Sequence, residues 1–344
     1  MLDAQVFAPE AGQVAMHISA AGGPEVLLPR RIAQPVLGEE ELLIEVHFAG
    51  VNRHDCNQRR RGPTPAHSDV PGLEVAGVVR AVGARVRSFA PGDRVCALTD
   101  GGGYAEYVAA PAALAFRLGD GLSMAQGAAL PEALFTIWHN FFNVAQLAAG
   151  ETVLIHGGTS GVGSLAIQVL GQLGHAVYVT CSTDEKCALA RRLGARGAIN
   201  YRTEDFVQRV AELTHGCGVD VILDMAGGRY SEQNVRALAR RGRLVHLSPG
   251  DGAAFSAPLR DIMAKEVRVT GSLLRPLPGH EKTAIAHQLR RAVWPLVEAG
   301  AVQPLIQRVF PLSEAAQAHA CLESGDVAGK IVLQSIDTDE RRKD

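Results

Sequence analysis

The chain has 344 residues, 47% of them hydrophobic and 20% charged, with 34 Lys and Arg against 36 Asp and Glu. That length exceeds a usual single domain and points to two, and the near-neutral balance gives no global field to draw in nucleic acid or anionic lipid. No apolar run approaches the roughly 18 residues of a membrane span, and the start lacks a basic region followed by a long apolar core. A cytoplasmic protein without membrane or nucleic-acid partners is expected.

The six cysteines, at 56, 96, 181, 187, 217 and 321, form no C-x-x-C pair and are expected as reduced thiols. Residues up to about Val14 precede the first strand pattern and read as a lead, and the charged tail Asp337 to Asp344 is expected to fray. The arginine runs Arg59 to Arg61 and Arg240 to Arg243 read as solvated faces.

From Met16 to about Phe116 the chain consists of short β-type runs broken by Gly and Pro, at 42–51, 74–83, 93–98 and 105–111. Strands this short, with frequent turns, predict an antiparallel barrel or sandwich-like domain. Ser123 to Ala149 is helical in period, with Ser123 a candidate N-cap and Pro131 a break.

Strands and helices then alternate: strand 152–156, helix 161–173, strand 176–181, helix 184–193, strand 198–200, helix 203–214, strand 219–224, helix 230–240, strand 243–247 and strand 267–273. Such alternation requires a parallel sheet covered on both faces, a doubly wound nucleotide fold. After a long helix at about 281–299, the segments 308–312 and 330–334 show no helical crossover of parallel type. They are expected to rejoin the first domain, which would leave a cleft between the two.

The stretch TVLIHGGTSGVGSLAIQVLGQL, Thr152 to Leu173, reads as strand, tight turn and helix. Glycines let the backbone turn and approach a ligand closely, and the helix N-terminus attracts an anion, so a pyrophosphate is the natural guest. Two registers of the dinucleotide fingerprint fit: Gly161, Gly163 and Ala166 as G-x-G-x-x-A, or Gly158, Ser160 and Gly163 as G-x-S-x-x-G. At the end of the second strand, Val179-Thr180-Cys181-Ser182, no acid is available for a ribose 2′-hydroxyl. Ser182 leaves room for a 2′-phosphate and Lys186 supplies a counter-charge. Asp184 and Glu185 argue the other way, although at a first helical turn they serve the helix dipole.

The order GGPEVL (22–27), AGVNRHD (49–55), PGLEVAGVV (71–79), PGDRV (91–95), GGGYAEYV (101–108), IHGGTSGVG (155–163), LGA (193–195), NY (200–201) and GKIVL (329–333) resembles the zinc-free quinone oxidoreductases of the medium-chain dehydrogenase/reductase superfamily. It is most similar to their tumour-suppressor-inducible type, which also has serine at the position of Ser160 and so favours the G-x-S-x-x-G register. The resemblance implies an α/β chain in which a doubly wound, parallel-sheet Rossmann domain, residues 131–300, is inserted into a GroES-like β-barrel catalytic domain, residues 1–130 and 301–344.

It further implies NADPH as cofactor, with Gly158, Ser160, Gly161 and Val162 at the pyrophosphate and Ser182, Lys186 and Tyr201 at the 2′-phosphate. Asn52 and Thr136, the catalytic candidates, stand beside the nicotinamide and its ribose. Leu247, Ser248, Ser272, Leu273 and Leu274 hold the carboxamide side, and Lys330 closes over the cofactor. Zinc-dependent relatives place ligands where this chain has Asn52, Leu73 and Glu132, a set that cannot make a tetrahedral N/S site, so no metal is expected. His54, Cys56 and His67 match no ligand spacing.

The expected reaction is hydride transfer from NADPH to a quinone, with Asn52 orienting the acceptor and Tyr104 lining the pocket. A tyrosine usual in the family soon after Gln58 to Gly62 is missing. Reduction of α,β-unsaturated carbonyls or enoyl thioesters is the enzymatic alternative, and a non-catalytic NADPH-binding structural or regulatory protein the alternative of another class. A short-chain dehydrogenase is excluded, because the tyrosines at 178, 201 and 230 are followed four residues on by Ser182, Asp205 and Asn234, not lysine. Strand 267–273 is expected at a sheet edge, pairing two copies into a homodimer.

Overall fold

A computed structural model describes residues 12–64, 68–250, 252 and 254–335. The lead to residue 11, His67 and the charged tail lie outside the described residues. The chain divides into two compact units, one from Met1–Glu132 with Ile306–Asp344 and one from Ala133–Leu305.

In the first unit, β1 (Gln13–Ile18) pairs antiparallel with β2 (Leu27–Ile32). The first strand thus starts at Gln13, ahead of the expected Met16, because six register pairs with β2 recruit it. The spine is β3 (Glu41–Val51), whose Leu42, Ile44 and Val46 alternate into the core with no exposed surface. After α1 (Arg53–Arg61) come β4 (Glu74–Val82), β5 (Arg94–Leu98), β6 (Tyr107–Pro111) and β7 (Ala115–Arg117). β3 pairs antiparallel with both β4 and β6, which curls the sheet on itself. Ser123 caps α2 (Met124–Gly127) by accepting from the Gln126 N–H at 3.2 Å, while the Gln126 side chain reaches back to the Ser123 N–H, a capping box. Pro131 then opens α3 (Pro131–Trp138), where its missing N–H is no loss, and the helix widens into a π-helical turn, His139–Val144.

The second unit is built on β8 (Thr152–His156), followed by α4 (Gly161–Gln172), β9 (Ala176–Cys181), α5 (Asp184–Arg192), β10 (Gly197–Asn200), α6 (Phe206–Leu213), β11 (Val219–Asp224), α7 (Ser231–Ala237) and β12 (Leu238–His246). α8 (Leu259–Lys265) leads to β13 (Arg268–Gly271). The sheet order β10-β9-β8-β11-β12-β13 is parallel throughout, so the doubly wound expectation holds and β13 lies at the edge. Two expected helices are shorter. The one placed at 230–240 stops at Ala237 because Leu238 turns extended, with ψ 145°, and begins β12. The one placed at 281–299 is broken at Val293, φ −114°, into α9 (Gly279–Ala292) and α10 (Trp294–Glu298), since Pro295 cannot continue the hydrogen-bond ladder.

The chain then returns to the first sheet with β14 (Ile306–Pro311), α11 (Ala315–Glu323) and β15 (Lys330–Gln334). β14 and β15 pair parallel across α11, so the expectation of no helical crossover here is wrong. The alanine-rich run AAQAHACLE makes a short helix that Gly325 ends at φ +80°. β15 also pairs antiparallel with β3, so both segments do rejoin the first sheet.

Candidate functional site

In the second unit, the candidate residues gather at the C-terminal ends of the parallel strands, the usual ligand edge of such a sheet. After β8, Gly157 turns the chain at φ +77°, and the N–H groups of Gly157 and Gly158 both donate to the Thr180 carbonyl, at 3.1 and 2.9 Å. A Cβ on Gly158 would lie 2.4 Å from Val179, and one on Gly163 would lie 2.3 Å from the Gly157 carbonyl oxygen. Ser160 is the N-cap of α4 and accepts from the Gly163 N–H at 3.0 Å. The register is therefore Gly158, Ser160 and Gly163: one glycine for helix-sheet packing, a cap, and one for the turn crossing the helix. Gly161 and Val162 open the helix, where no internal acceptor serves their N–H groups. This cradle, closed to any side chain, fits a pyrophosphate.

Ser182, Lys186 and Tyr201 come together at the ends of β9 and β10. The Tyr201 N–H donates to the Cys181 carbonyl at 3.1 Å, and the Lys186 N–H donates to Thr183 Oγ1, the N-cap of α5, at 3.2 Å. Of the two acids nearby, Asp184 accepts from Asn200 Nδ2 at 2.9 Å. Glu185 is held below its ordinary value by its own backbone N–H and by the Thr183 hydroxyl.

At the other end of the sheet the Leu247 N–H donates to the Asp224 carbonyl at 2.9 Å. Ser272 donates its N–H to the His246 carbonyl at 3.1 Å and its hydroxyl to Asn140 Oδ1 at 2.7 Å. Asn140 Nδ2 in turn donates to the Thr136 carbonyl at 2.8 Å. Thr136 and Ser272, far apart in sequence, thus share one hydrogen-bonded chain. Leu247, Ser248, Ser272 and Leu273 line a cavity of about 550 Å³. Leu274 is half-buried beside them and is not part of that lining.

In the first unit, Asn52 caps the entry to α1 and is 7% exposed. Its Nδ2 donates to Glu74 Oε1 at 2.9 Å and its Oδ1 accepts from Lys330 Nζ at 2.6 Å. Because Lys only donates and carboxylate only accepts, the amide orientation is fixed. Glu74 also takes the Lys330 ammonium on Oε1 and the Glu132 N–H on Oε2 at 2.9 Å. Burial works against the charge on Lys330, but Glu74, Glu132 and Asp55 outweigh it and hold its pKa above the ordinary value.

Lys330 therefore does not sit at a strand edge: β15 lies between β14 and β3, and its ammonium is committed to Glu74 and Asn52. Tyr104, expected at the pocket, has no exposed surface. Its hydroxyl donates to Asp55 Oδ2 at 3.3 Å and accepts from His319 Nε2 at 3.1 Å. Nor is Arg59 part of a solvated face: it is 1% exposed, donating to His319 Nδ1 at 3.2 Å and to Glu323 Oε1 at 2.7 Å. Asp55 holds Asn52 in turn, accepting its N–H at 2.8 Å and that of Gly72 at 3.1 Å. Glu74, Asp55 and His319 were not singled out in the sequence. An acid within the apolar run PGLEVAGVV, and another three residues after an N-cap asparagine, were the available signals.

Two predictions follow from this geometry. Gly163→Ala should cost about 2 kcal/mol through overpacking and weaken NADPH binding. Gly171→Ala in the same helix, where a Cβ meets nothing, should gain about 0.5–1 kcal/mol. Thermal melts and a cofactor titration would check both.

The second concerns pH. Burial, only partly offset by the Asn52 and Gly72 N–H groups, raises Asp55 to about 6, while burial and the Arg59 and Arg53 charges lower His319 to about 3. Between about pH 4 and 6 the folded state holds an Asp55 proton that the unfolded chain releases, so this contribution to stability falls as pH rises. Below about pH 6.5 the unfolded chain takes up a His319 proton that the folded state refuses, so that contribution falls as pH drops. Urea midpoints from pH 4 to 6.5 should diverge between variants: Asp55→Asn should lose stability on acidification relative to His319→Gln. Parallel profiles would contradict the assignment.

Residues 38–120 match the family model described as alcohol dehydrogenase GroES-like domain, and residues 193–333 the model described as zinc-binding dehydrogenase. The quinone oxidoreductase of Sus scrofa is 34% identical over 93% of this chain and 97% of its own, and that of Homo sapiens is 32% identical over the same shares. Among solved structures, Escherichia coli quinone oxidoreductase complexed with NADPH is similar at TM-score 0.82 and 30% identity, over 94% of this chain and 100% of its own. The quinone oxidoreductase of Pseudomonas syringae pv. Tomato DC3000 gives 0.83 and 29% over the same shares. With its GroES-like and Rossmann parts and its full-length likeness to these proteins, the chain belongs to the quinone oxidoreductase family of the medium-chain dehydrogenase/reductase superfamily.

Proposed function

We propose that the chain is an NADPH-dependent quinone oxidoreductase in which hydride transfer depends on positioning by Asn52 and Thr136. The observation that carries this reading is the turn in which Gly158 and Gly163 leave no room for a Cβ and Ser160 caps the helix, with a second strand that ends on Cys181 and is followed by Ser182, not by a carboxylate. Gly161 and Val162 offer helix N–H groups to the pyrophosphate. Ser182, Lys186 and Tyr201 receive the 2′-phosphate. Leu247, Ser248, Ser272, Leu273 and Leu274 take the nicotinamide side. When bound, NADPH supplies the hydride.

Asn52 presents a neutral amide where a zinc-dependent relative has a cysteine. Glu74 uses one of its two amide hydrogens, and the second serves to polarise an acceptor oxygen. A quinone is already electrophilic, and its reduced oxygen takes a proton from water, so the site needs no strong acid. Lys330 and Glu74 hold the amide in place.

The edge strand β13 is exposed along all four residues, and Leu273, at 67%, together with Leu259 and Met263, at 74% and 75%, exposes more apolar surface in the same unit. An unpaired edge of this kind favours pairing with a second copy, and a homodimer is part of this reading. A cytoplasmic location agrees with six free thiols. Among the described residues no helix is long and apolar enough to cross a membrane.

Turnover with a panel of quinones, alkenals and enoyl thioesters tests the reaction, and faster reduction of an enoyl thioester than of every quinone would overturn it. Lys186→Ala should weaken NADPH about tenfold or more while leaving NADH nearly unchanged; equal losses would sink the 2′-phosphate assignment. Light scattering should give a dimer that Val269→Asp splits into monomers, and a monomeric parent protein would refute the edge pairing.

A further inference from the structure

In β9, β8 and β11 the residues Tyr178, Leu154 and Ile222 stand side by side in register and belong to one apolar core. Two residues further along, on the same face, the three strands turn polar, with Thr180, His156 and Asp224. Asn234 of α7 joins them, and none of the four is more than 2% exposed. A polar layer buried this deeply is costly unless its members are hydrogen-bonded.

The bonds run in one direction. Asp224 is held ionised: burial pushes its pKa up, but His246, whose Nδ1 stands 3.3 Å from Oδ2, outweighs it together with His156 and two backbone N–H groups. A carboxylate only accepts, so Asn234 Nδ2 donates to Asp224 Oδ2 at 3.0 Å and turns its oxygen to His156 Nε2 at 2.7 Å. His156 therefore donates from Nε2. Burial holds its pKa below the ordinary value, and the neutral ring accepts at Nδ1, where the Thr180 hydroxyl donates at 2.9 Å. The ring stacks on Tyr230, with centroids 5.3 Å apart, and meets Phe206 edge-on at 5.0 Å, which fixes its plane.

Each end of this row holds a turn that follows a strand. At one end the Thr180 carbonyl accepts the N–H groups of Gly157 and Gly158, the turn of the pyrophosphate cradle. At the other, Asp224 Oδ1 accepts those of Ala226 and Gly227, at 2.6 and 3.1 Å. Gly227 and Gly228 line the cavity of about 550 Å³, and a Cβ on Gly227 would lie 1.7 Å from the Pro249 carbonyl oxygen, so that wall is tightly built. In the NADPH reading a dinucleotide spans both turns, and its reacting ring is placed no better than the spacing between them. We propose that His156, at the centre of the row, is a positioning residue that fixes the turn after β8 against the turn after β11 and so aligns the two halves of the cofactor. It touches no ligand itself. The inference rests on the NADPH reading above and adds to it a residue outside the set assigned there.

The test compares NADP⁺, which needs both turns, with 2′,5′-ADP, which carries the adenine half alone, by calorimetric titration of the full chain. His156→Phe keeps the packing on Tyr230 and Phe206 and loses both hydrogen bonds. It should weaken NADP⁺ about tenfold, the worth of one or two hydrogen bonds, and 2′,5′-ADP by less than about twofold. His156→Gln, which can accept from Thr180 and donate to Asn234, should recover part of the NADP⁺ loss. Thr180→Val removes one bond of the row, leaves the Thr180 carbonyl in place and should shift the same ratio in the same direction, which keeps the test open if His156→Phe does not fold. A general loss of stability would weaken both ligands alike. Equal losses, or an NADP⁺ affinity unchanged in both His156→Phe and Thr180→Val, would overturn the role of His156 and leave the cofactor reading intact. Failure of the parent protein to bind NADP⁺ would overturn that reading, and this inference with it.

Discussion

A lysine ammonium buried at 4% exposure is the constraint on which the first unit depends. Leaving a charge unpaired in the interior costs several kcal/mol, so the fold must bring an acid to it and keep that acid's remaining lone pairs occupied. Glu74 is that acid, and the structure makes room for it: a Cβ at Gly50 would fall 2.2 Å from Glu74 Oε1. The Asn52 amide and the Glu132 N–H complete the set. Three distant stretches of sequence, near 50, 74 and 330, are thereby locked in register, and the candidate catalytic amide is one of the locks. Its orientation follows from charge balance, not from a ligand.

Both units use the same electrostatic grammar. A buried acceptor fixes the tautomer of a histidine, and the histidine fixes the next group. In one unit the series runs from Arg59 through His319 and Tyr104 to Asp55, and in the other from Thr180 through His156 and Asn234 to Asp224. Directional networks of this type rigidify a core only when every member is satisfied. The first ends on Asp55, which also holds the Asn52 and Gly72 N–H groups, and the second on Asp224, which also faces His246 Nδ1 at 3.3 Å.

The parallel sheet was legible because alternating strand and helix periods, glycines at 157, 158 and 163 and the missing acid after Cys181 are local signals. The rest depended on partners far away in the chain. Nothing near Arg59 distinguishes it from Arg60, and its partners are the Gly22 carbonyl and, more than 250 residues on, Glu323 and His319. The ion pair of Lys330 with Glu74 could not be read either, because it depends on β15 pairing with β3, more than 250 residues away in the chain. The partners of Tyr104, Asp55 and His319, are likewise 49 and 215 residues away in the chain. The donors around Asp224 assemble only when β11 and β12 align.

The chain order of the two units has a consequence for synthesis. The second unit is one continuous segment, Ala133–Leu305, whereas the first is split around it. As the polypeptide leaves the ribosome, the parallel sheet can condense as soon as its own residues emerge. The first sheet must wait for β15, the last strand among the described residues, before Glu74 meets its cation. In the folded chain the pairing of Glu74 therefore rests on a strand that follows the whole second unit in sequence.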